Sequence, residues 1–461
     1  MQKGLQAYLR DKATLKNCKI YQMLSKAAKG RHVSFHTPGH KNGRWDITEL
    51  SFSDNLSAPK GCIAEAEKDI AEILGAQKSF ILTDGSTSGV LAMLYVAAQR
   101  GVKRIAVCKD SHKSVFNGCK LWGITPLIYT QPRRNKIPFP HTMSATNEEF
   151  MQVLTAADAV FLTSPDYYGN VADLAPIQAF CQKNNKLLLI DGAHGGHLHF
   201  DKAQYAGAYA DIWVDGVHKS LPAFTQGAVV SARTAELGEA LRKAVDIFRT
   251  TSPSYPVMAS VEYAVKYPKN EALEREVAAF KNAHNRIYPS ADWTKLCVRF
   301  GKDAFTVEKE LEKAGLYAEF CDGNVVMFYL SAATTKKQFA LLKNTLVALF
   351  EKYPLKEDTN ENTNETTGGE KSSERIVENT AENTVQLDHA PLVLDENTRT
   401  QWVSLDEAIG CICACACGMF PPCTPLISVG EQVKQEQIEL LKNADNVFGL
   451  CENKILVYKH E

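Results

Sequence analysis

L-L-L-I-D-G-A-H-G-G-H-L-H-F runs from Leu187 to Phe200, and D-I-W-V-D-G-V-H-K-S runs from Asp211 to Ser220. Two apolar runs, Leu187–Ile190 and Ile212–Val214, each end in a carboxylate. Short apolar runs bounded by Gly and charge read as buried parallel strands. In open α/β sheets, ligands bind where such strands stop. Asp191 then sits at one strand end, and Lys219 lies just past another. A carboxylate and an amine brought to one crevice suit pyridoxal phosphate. The amine forms a Schiff base, and the carboxylate faces the pyridine nitrogen and keeps it protonated. Taken singly, these residues also read as an acidic helix cap and a solvated surface lysine. The pair gains weight only from the rest of the chain.

Working outward, further strand ends carry polar or small residues. Phe80–Leu82 reads as a strand, followed by Gly85, Ser86, Thr87, Ser88 and Gly89, then by an apolar helix over Val90–Ala98. A helix N-terminus preceded by small hydroxyl residues is a phosphate site in waiting, because free N–H groups and the positive dipole end converge there. Ile105–Cys108 reads as a strand, with His112 a few residues beyond it, where an imidazole can stack on a flat cofactor. Pro126–Tyr129 is a further strand candidate. Ala159–Thr163 ends in S-P-D-Y-Y-G-N, a turn in which Asp166 or Tyr167 can point at a substrate. Gly227–Ser231 reads as one more strand. Segments of helical length separate most of these runs, which is the doubly wound α/β pattern.

The flanking regions divide the chain further. Its 461 residues imply roughly two or three domains. Residues 1–45 read as an N-terminal arm that crosses to a partner subunit. Within it, S-F-H-T-P-G-H-K-N-G (Ser34–Gly43) makes a turn whose His36, His40 and Lys41 can face a ligand. Residues 46–265 read as the cofactor-binding large domain and 266–354 as a smaller α/β domain. The latter is expected to hold strands at V-R-F, A-F-T-V (Ala304–Val307) and N-V-V-M-F-Y-L, with helices at Glu308–Ala314 and Lys336–Tyr353. Residues 355–390 are polar, acidic and nearly free of apolar side chains, so they read as a disordered insertion. Residues 391–461 complete the smaller domain.

Composition excludes several classes. Apolar residues make up 45% and charged residues 23%, with a net charge of -1. That is a globular protein with a sizeable core and no large basic surface for nucleic acid. No apolar run reaches the ~20 residues that span a bilayer. The N-terminus lacks the apolar core of a signal peptide. The thirteen cysteines read as reduced thiols of a cytoplasmic protein. Four of them, Cys411, Cys413, Cys415 and Cys417, alternate, so on a strand they share one face. Successive ones would step about 6–7 Å, too far for four to close one tetrahedron. We read them as buried thiols facing a core. His194, His197 and His199 mimic a metal-ligand cluster. If Gly196–Phe200 runs extended, however, His194 lies apart from the other two, and no metal site is expected.

H-T-P-G-H-K, D-G-S-T-S-G, D-S-H-K-S, S-P-D-Y-Y-G, D-G-A-H-G-G-H and D-G-V-H-K-S-L occur in this order. Together they resemble the Orn/Lys/Arg decarboxylase family. The resemblance covers most of Arg31–Val265 and, more loosely, Thr398–Gln435. It implies a fold-type I enzyme: an α/β protein whose aspartate-aminotransferase-like, pyridoxal-phosphate-dependent large domain carries a smaller α/β C-terminal domain. It implies that Lys219 holds the cofactor covalently and that Asp191 pairs with the pyridinium nitrogen. It implies that His112 stacks on the ring, and that Ser86, Thr87 and Ser88 bind the phosphate with His218 beside it. His194 is implied to pack near the cofactor. The implied reaction is loss of the α-carboxylate of arginine, lysine or ornithine as CO2. The implied assembly is a homodimer or higher homo-oligomer, because fold-type I sites are commonly built across a dimer interface.

One stretch departs from the family. Where an Ala-Glu pair precedes a P-Y-P-P-G-I-P turn, this chain has A-C-A-C-G-M-F-P-P-C-T-P. Cys415 stands in place of the Glu and Cys423 in place of the Gly. That Glu is a partner for a substrate's distal cation, so its loss bears on substrate identity and activity. Two other readings stay open. One is an aminotransferase or aldolase on the same fold. The other is a cofactor-binding paralogue with an altered substrate site.

Overall fold

The computed structural model describes residues 5–30, 33–41, 44–134, 137–143, 147–355, 400–419, 425–444 and 446–459. The insertion expected at 355–390 lies outside the described residues beyond Leu355, as does Cys423.

Seven strands form one sheet: β1 (Lys78–Leu82), β2 (Arg104–Cys108), β3 (Thr125–Tyr129), β4 (Ala159–Thr163), β5 (Leu187–Gly192), β6 (Ile212–Asp215) and β7 (Ala228–Ala232). Their order is β1-β7-β6-β5-β4-β2-β3. The pairs β2–β3, β2–β4, β4–β5 and β5–β6 are parallel. Only β7 runs against the rest, pairing antiparallel with β6 and with β1. Each strand overlaps the apolar run expected to form it.

Side chains alternate between two cores, as the period of two requires. Ala106 and Cys108 of β2 join one core, and Ile105 and Val107 join the other. Leu188 and Ile190 of β5 face the first, and Leu189 faces the second. Burying one such Ile or Leu side chain contributes about 1.5–3 kcal/mol. On the second face, the helix Ser86–Gln99 packs against Lys113–Trp122 and Ala235–Phe248. Gly85, the residue before that helix, has φ +86, a conformation open to glycine at little cost.

Part of the expected N-terminal arm packs on its own chain. The helix Lys19–Lys29 packs on Tyr255–Val265 and Cys62–Leu74 of the same chain. It buries Ile20, Tyr21, Leu24 and Ala27, an amphipathic face that this core satisfies. Buried Glu262 accepts the free N–H groups of Lys19 and Ile20 at 2.6 and 2.9 Å.

A second, antiparallel sheet orders Lys295–Arg299, Val325–Tyr329 and Phe320–Cys321 side by side. Its core includes Val277, Phe280, Val326, Phe339 and Leu346. Ala304–Val307 is not a strand here. It opens the helix Ala304–Lys313, because Asp303 accepts the Thr306 N–H at 2.9 Å and caps the helix start.

The C-terminal residues carry a core of their own, which includes Cys413, Cys417, Ile427, Ile438, Ile455 and Val457. The cysteine run is not one strand; only Cys417–Met419 is. Backbone N–H groups diverge, Cys413 donating to Glu431 and Ala414 to Leu456, so the run threads between two segments instead of pairing along one. Cys413 and Cys417 are buried, while Cys411 and Cys415 are partly exposed. All described cysteines are free. No described helix is long and apolar enough to cross a membrane.

Candidate active site

A cavity of about 310 Å³ opens at the C-terminal ends of β4 and β5 and beside the turn after β6. That size lies near the lower end of small-molecule sites, roughly 300–1,000 Å³. Asp191, next to last in β5, is 3% exposed. Its carboxylate accepts the Ala193 N–H at 3.0 Å. Burial pushes this carboxyl up, and the nearby Lys219 charge pulls it back.

Lys219 stands on a four-residue helix, Val217–Ser220, that starts directly after β6. The preceding Gly216 lies against the loop after Asp191: a Cβ there would sit 2.5 Å from the Ala193 carbonyl. This contact keeps the amine's helix close to the carboxylate's loop. Lys219 Nζ lies 3.2 Å from His194 Nε2. His218, beside it on the same turn, donates from Nδ1 to the Gly227 carbonyl at 2.9 Å. Burial lowers its pKa.

His112 caps the helix Lys113–Trp122, its Nδ1 accepting the Ser114 N–H at 3.2 Å. Burial first, then the charges of Lys219 and Lys113, bring its pKa down to about 4. A neutral, flat ring therefore forms part of the wall. Ser86 and Thr87 occupy the first turn of the helix Ser86–Gln99, where N–H groups lack intrahelical partners and the dipole is positive.

The cavity wall thus brings together Ser86, Thr87, His112, Asp191, His194, His218 and Lys219. Ser88 is not part of it. Its hydroxyl lies 2.9 Å from Asp84 Oδ1 and 3.0 Å from the Gly85 carbonyl, sharing its one proton within the turn. Nor do His36, His40 and Lys41 reach the wall. Lys41 bonds the His36 carbonyl at 2.7 Å, and His40 pairs with Asp46 at 3.0 Å. His197 and His199 also lie elsewhere, on a short 3₁₀ turn (Gly196–Phe200) instead of an extended segment. Among the described residues, no group of three His, Cys, Asp or Glu could hold a metal ion.

Asp166 and Tyr167 both line the cavity. Asp166 is engaged within its turn, where it accepts N–H groups from Tyr168 and Asn170 at 2.9 Å each. Burial raises it to about 6. Among the lining residues that were not singled out as site candidates are Ser111, Gln131, His141 and Thr163. Each has a buried side-chain polar atom without a hydrogen bond among the described residues. Buried polar atoms left without partners cost free energy, so a wall with several of them is shaped for a polar ligand. Thr163 ends β4, so the strand-end rule reaches it. Gln131 and His141 sit in connections that show no such pattern.

The donor set fits pyridoxal phosphate, the cofactor of this fold. An amine is available for its aldehyde and a buried carboxylate for its ring nitrogen. A flat imidazole is available for its face, and a helix N-terminus with two hydroxyl residues for its phosphate. A larger open groove around Asp11, Asn17, Glu72 and Lys266 has amines and carboxylates but no imidazole in its lining.

Comparison with known proteins agrees with this reading. The model of the Orn/Lys/Arg decarboxylase major domain matches residues 44–287, more than half of the chain. The chain is 28% identical to the uncharacterized protein YaaO of Bacillus subtilis, over 96% of this chain and 99% of that one. It is 25% identical to the arginine decarboxylase of the same bacterium, over 92% and 93%. The constitutive lysine decarboxylase of Escherichia coli superposes with a TM-score of 0.67 at 17% identity, covering 96% of this chain and 82% of that one. This likeness shows the shared aspartate-aminotransferase-like fold. The chain belongs to the Orn/Lys/Arg decarboxylase family of pyridoxal-phosphate-dependent enzymes.

Proposed function

We propose that this protein removes the α-carboxylate of a basic amino acid, arginine, lysine or ornithine, as CO2, leaving the corresponding amine. The observation that carries the reading is the Lys219 amine and the Asp191 carboxylate in the wall of one cavity. Bound pyridoxal phosphate supplies the electron sink for the pair left when the Cα–carboxylate bond breaks.

The chain's own residues do the rest. Lys219 would hold the cofactor through its amine. Asp191 would face the ring nitrogen and keep it protonated, an interaction that burial strengthens. His112 would supply a flat face for the ring. Ser86, Thr87 and the helix N-terminus would bind the phosphate, with His218 beside it. Lys219, with His194 Nε2 3.2 Å away as its partner, would be the group to return a proton to Cα. We assign the protein to the cytoplasm and to a homodimer or higher homo-oligomer, in line with its family.

A second reading rests on Cys415, which stands where the family carries a glutamate. Its thiol lies 3.7 Å from that of Cys417 and 3.2 Å from the Gly449 carbonyl. A paralogue that binds cofactor without turning over basic amino acids fits that exchange. Two measurements decide. Purified protein should absorb in the visible region and release CO2 and amine from one of the three amino acids. Keto-acid formation instead would indicate an aminotransferase. A yellow protein inactive on all three would favour the paralogue. Lys219→Ala should lose the covalently held chromophore. If it keeps the chromophore, the assignment of Lys219 is wrong.

A further inference from the structure

His194 stands between a partner on the helix Val217–Ser220 and one on the second sheet. Its Nε2 faces Lys219, and its Nδ1 lies 3.3 Å from the hydroxyl of Tyr329, the last residue of the strand Val325–Tyr329. The Tyr329 hydroxyl donates its single proton to the Tyr167 carbonyl at 2.9 Å. Toward His194 it can only accept. His194 therefore carries its proton on Nδ1, and Nε2 offers a lone pair to the Lys219 amine. Burial first, then the charges of Lys219 and Lys295, hold the imidazole neutral. The other titratable groups acting on it are His112 and Asp292, and Tyr167 packs edge-on at 5.1 Å.

Tyr329 is itself held in place. Lys295 Nζ lies 4.0 Å from its ring centroid. Lys295 pairs with Asp292 at 3.4 Å, and Asp292 bonds His197 Nε2 at 2.9 Å. His197 lies three residues past His194, so the chain of contacts closes on the loop where it began. Lys295, Asp292 and His197 are all buried.

We propose that Tyr329 is a positioning residue for the decarboxylation: acting through His194, it turns a lone pair toward the Lys219 amine and so orients the amine and favours its protonated form. The inference rests on Lys219 as the cofactor-bearing residue. It makes the second sheet part of the catalytic apparatus.

Tyr329→Phe tests it, because the ring keeps its packing and only the oxygen is lost. Nδ1 then has no acceptor, and the imidazole can place its proton on Nε2, toward Lys219. The protonated nitrogen of the lysine–cofactor linkage would meet a donor in place of an acceptor. The midpoint of the pH-dependent change in visible absorbance should fall, by about 0.5–1 pH unit, and kcat should drop about three- to tenfold. KM should stay within about twofold, since substrate contacts are intact. A purely structural tyrosine would lower the melting temperature and leave the midpoint alone. An unchanged midpoint with unchanged kcat, or a lowered melting temperature by itself, overturns the inference. Should Tyr329→Phe fail to fold, the midpoints of His194→Gln and His194→Phe are compared. Glutamine still offers an acceptor and should hold the midpoint near wild type, whereas phenylalanine should lower it; equal midpoints overturn the inference. Wild-type protein without a visible band would refute the cofactor reading itself, a separate outcome.

Discussion

His141 lines the cavity and is buried, with Nε2 lacking a hydrogen bond among the described residues. It packs edge-on against Tyr129 and Phe150, each at 5.6 Å. Burial brings its pKa from 6.5 down to about 3. Between those values the unfolded chain holds a proton that the folded chain does not. The stability this neutral ring contributes is complete above pH 6.5 and declines as pH falls below it. His141→Phe keeps the aromatic packing and removes the titration. Its stability relative to wild type should grow by up to about 1.4 kcal/mol for each pH unit below 6.5. Urea unfolding at pH 7.5 and 5.5 measures this, and parallel profiles for the two proteins would refute it. Asp191, Lys219 and His112 were legible in the sequence because each follows a short apolar run. Ser88 stands off the cavity wall for a local reason. A row of hydroxyl residues at a helix start does not say which of them turns inward to cap the turn. Tyr329 was invisible because its partners, His194 and Tyr167, belong to another part of the sequence.

Strand positions were legible because apolar runs between breakers have few alternatives. The direction of β7 was not, because a buried strand's composition is the same whichever way it runs. Ala304–Val307 looked like a strand until Asp303 capped it; apolar runs this short fit either element, and a cap decides between them. The close contact between the helix Val217–Ser220 and the loop after β5 depends on Gly216. A methyl group there would sit 2.5 Å from the Ala193 carbonyl and 3.2 Å from its carbon, both backbone atoms that cannot rotate away. Gly216→Ala should force the two segments apart and cost about 1–3 kcal/mol, the usual range for overpacking. Because those segments carry Lys219 and Asp191, cofactor retention during dialysis should fall along with stability. Urea unfolding together with the visible absorbance after dialysis measures both effects. A variant as stable and as yellow as wild type would show that the contact is slack.

At the scale of the whole molecule, the first sheet and the second meet through buried charge. Asp292 lies at 0% exposure, between His197, in the turn that follows β5 of the first sheet, and Lys295 of the second. Thr294 adds a hydroxyl donor at 2.7 Å. Burial pushes the Asp292 carboxyl up, but His197 and Lys295 outweigh it and hold the group well below the ordinary value of 3.8. Composition and periodicity carried the two-sheet architecture. They could not reveal this contact, which joins a histidine of a glycine-rich loop to an aspartate far along the chain. Breaking a buried pair by removing one partner leaves the other desolvated and uncompensated, at a cost of about 3–5 kcal/mol. Asp292→Asn should lose that much at pH 7, because Lys295 stays buried beside a neutral amide. The sign of the pH dependence follows from the depressed pKa. The carboxylate's contribution is complete above pH 3.8 and is lost as pH falls toward the folded value. The gap between wild type and Asp292→Asn should therefore be full at pH 7 and begin to close below about pH 4. A double variant, Asp292→Leu with Lys295→Met, removes both charges and should regain much of the loss, since apolar replacements of buried pairs are often neutral. Equal stability of wild type and Asp292→Asn at pH 7 would mean that the two sheets are held together by apolar packing alone.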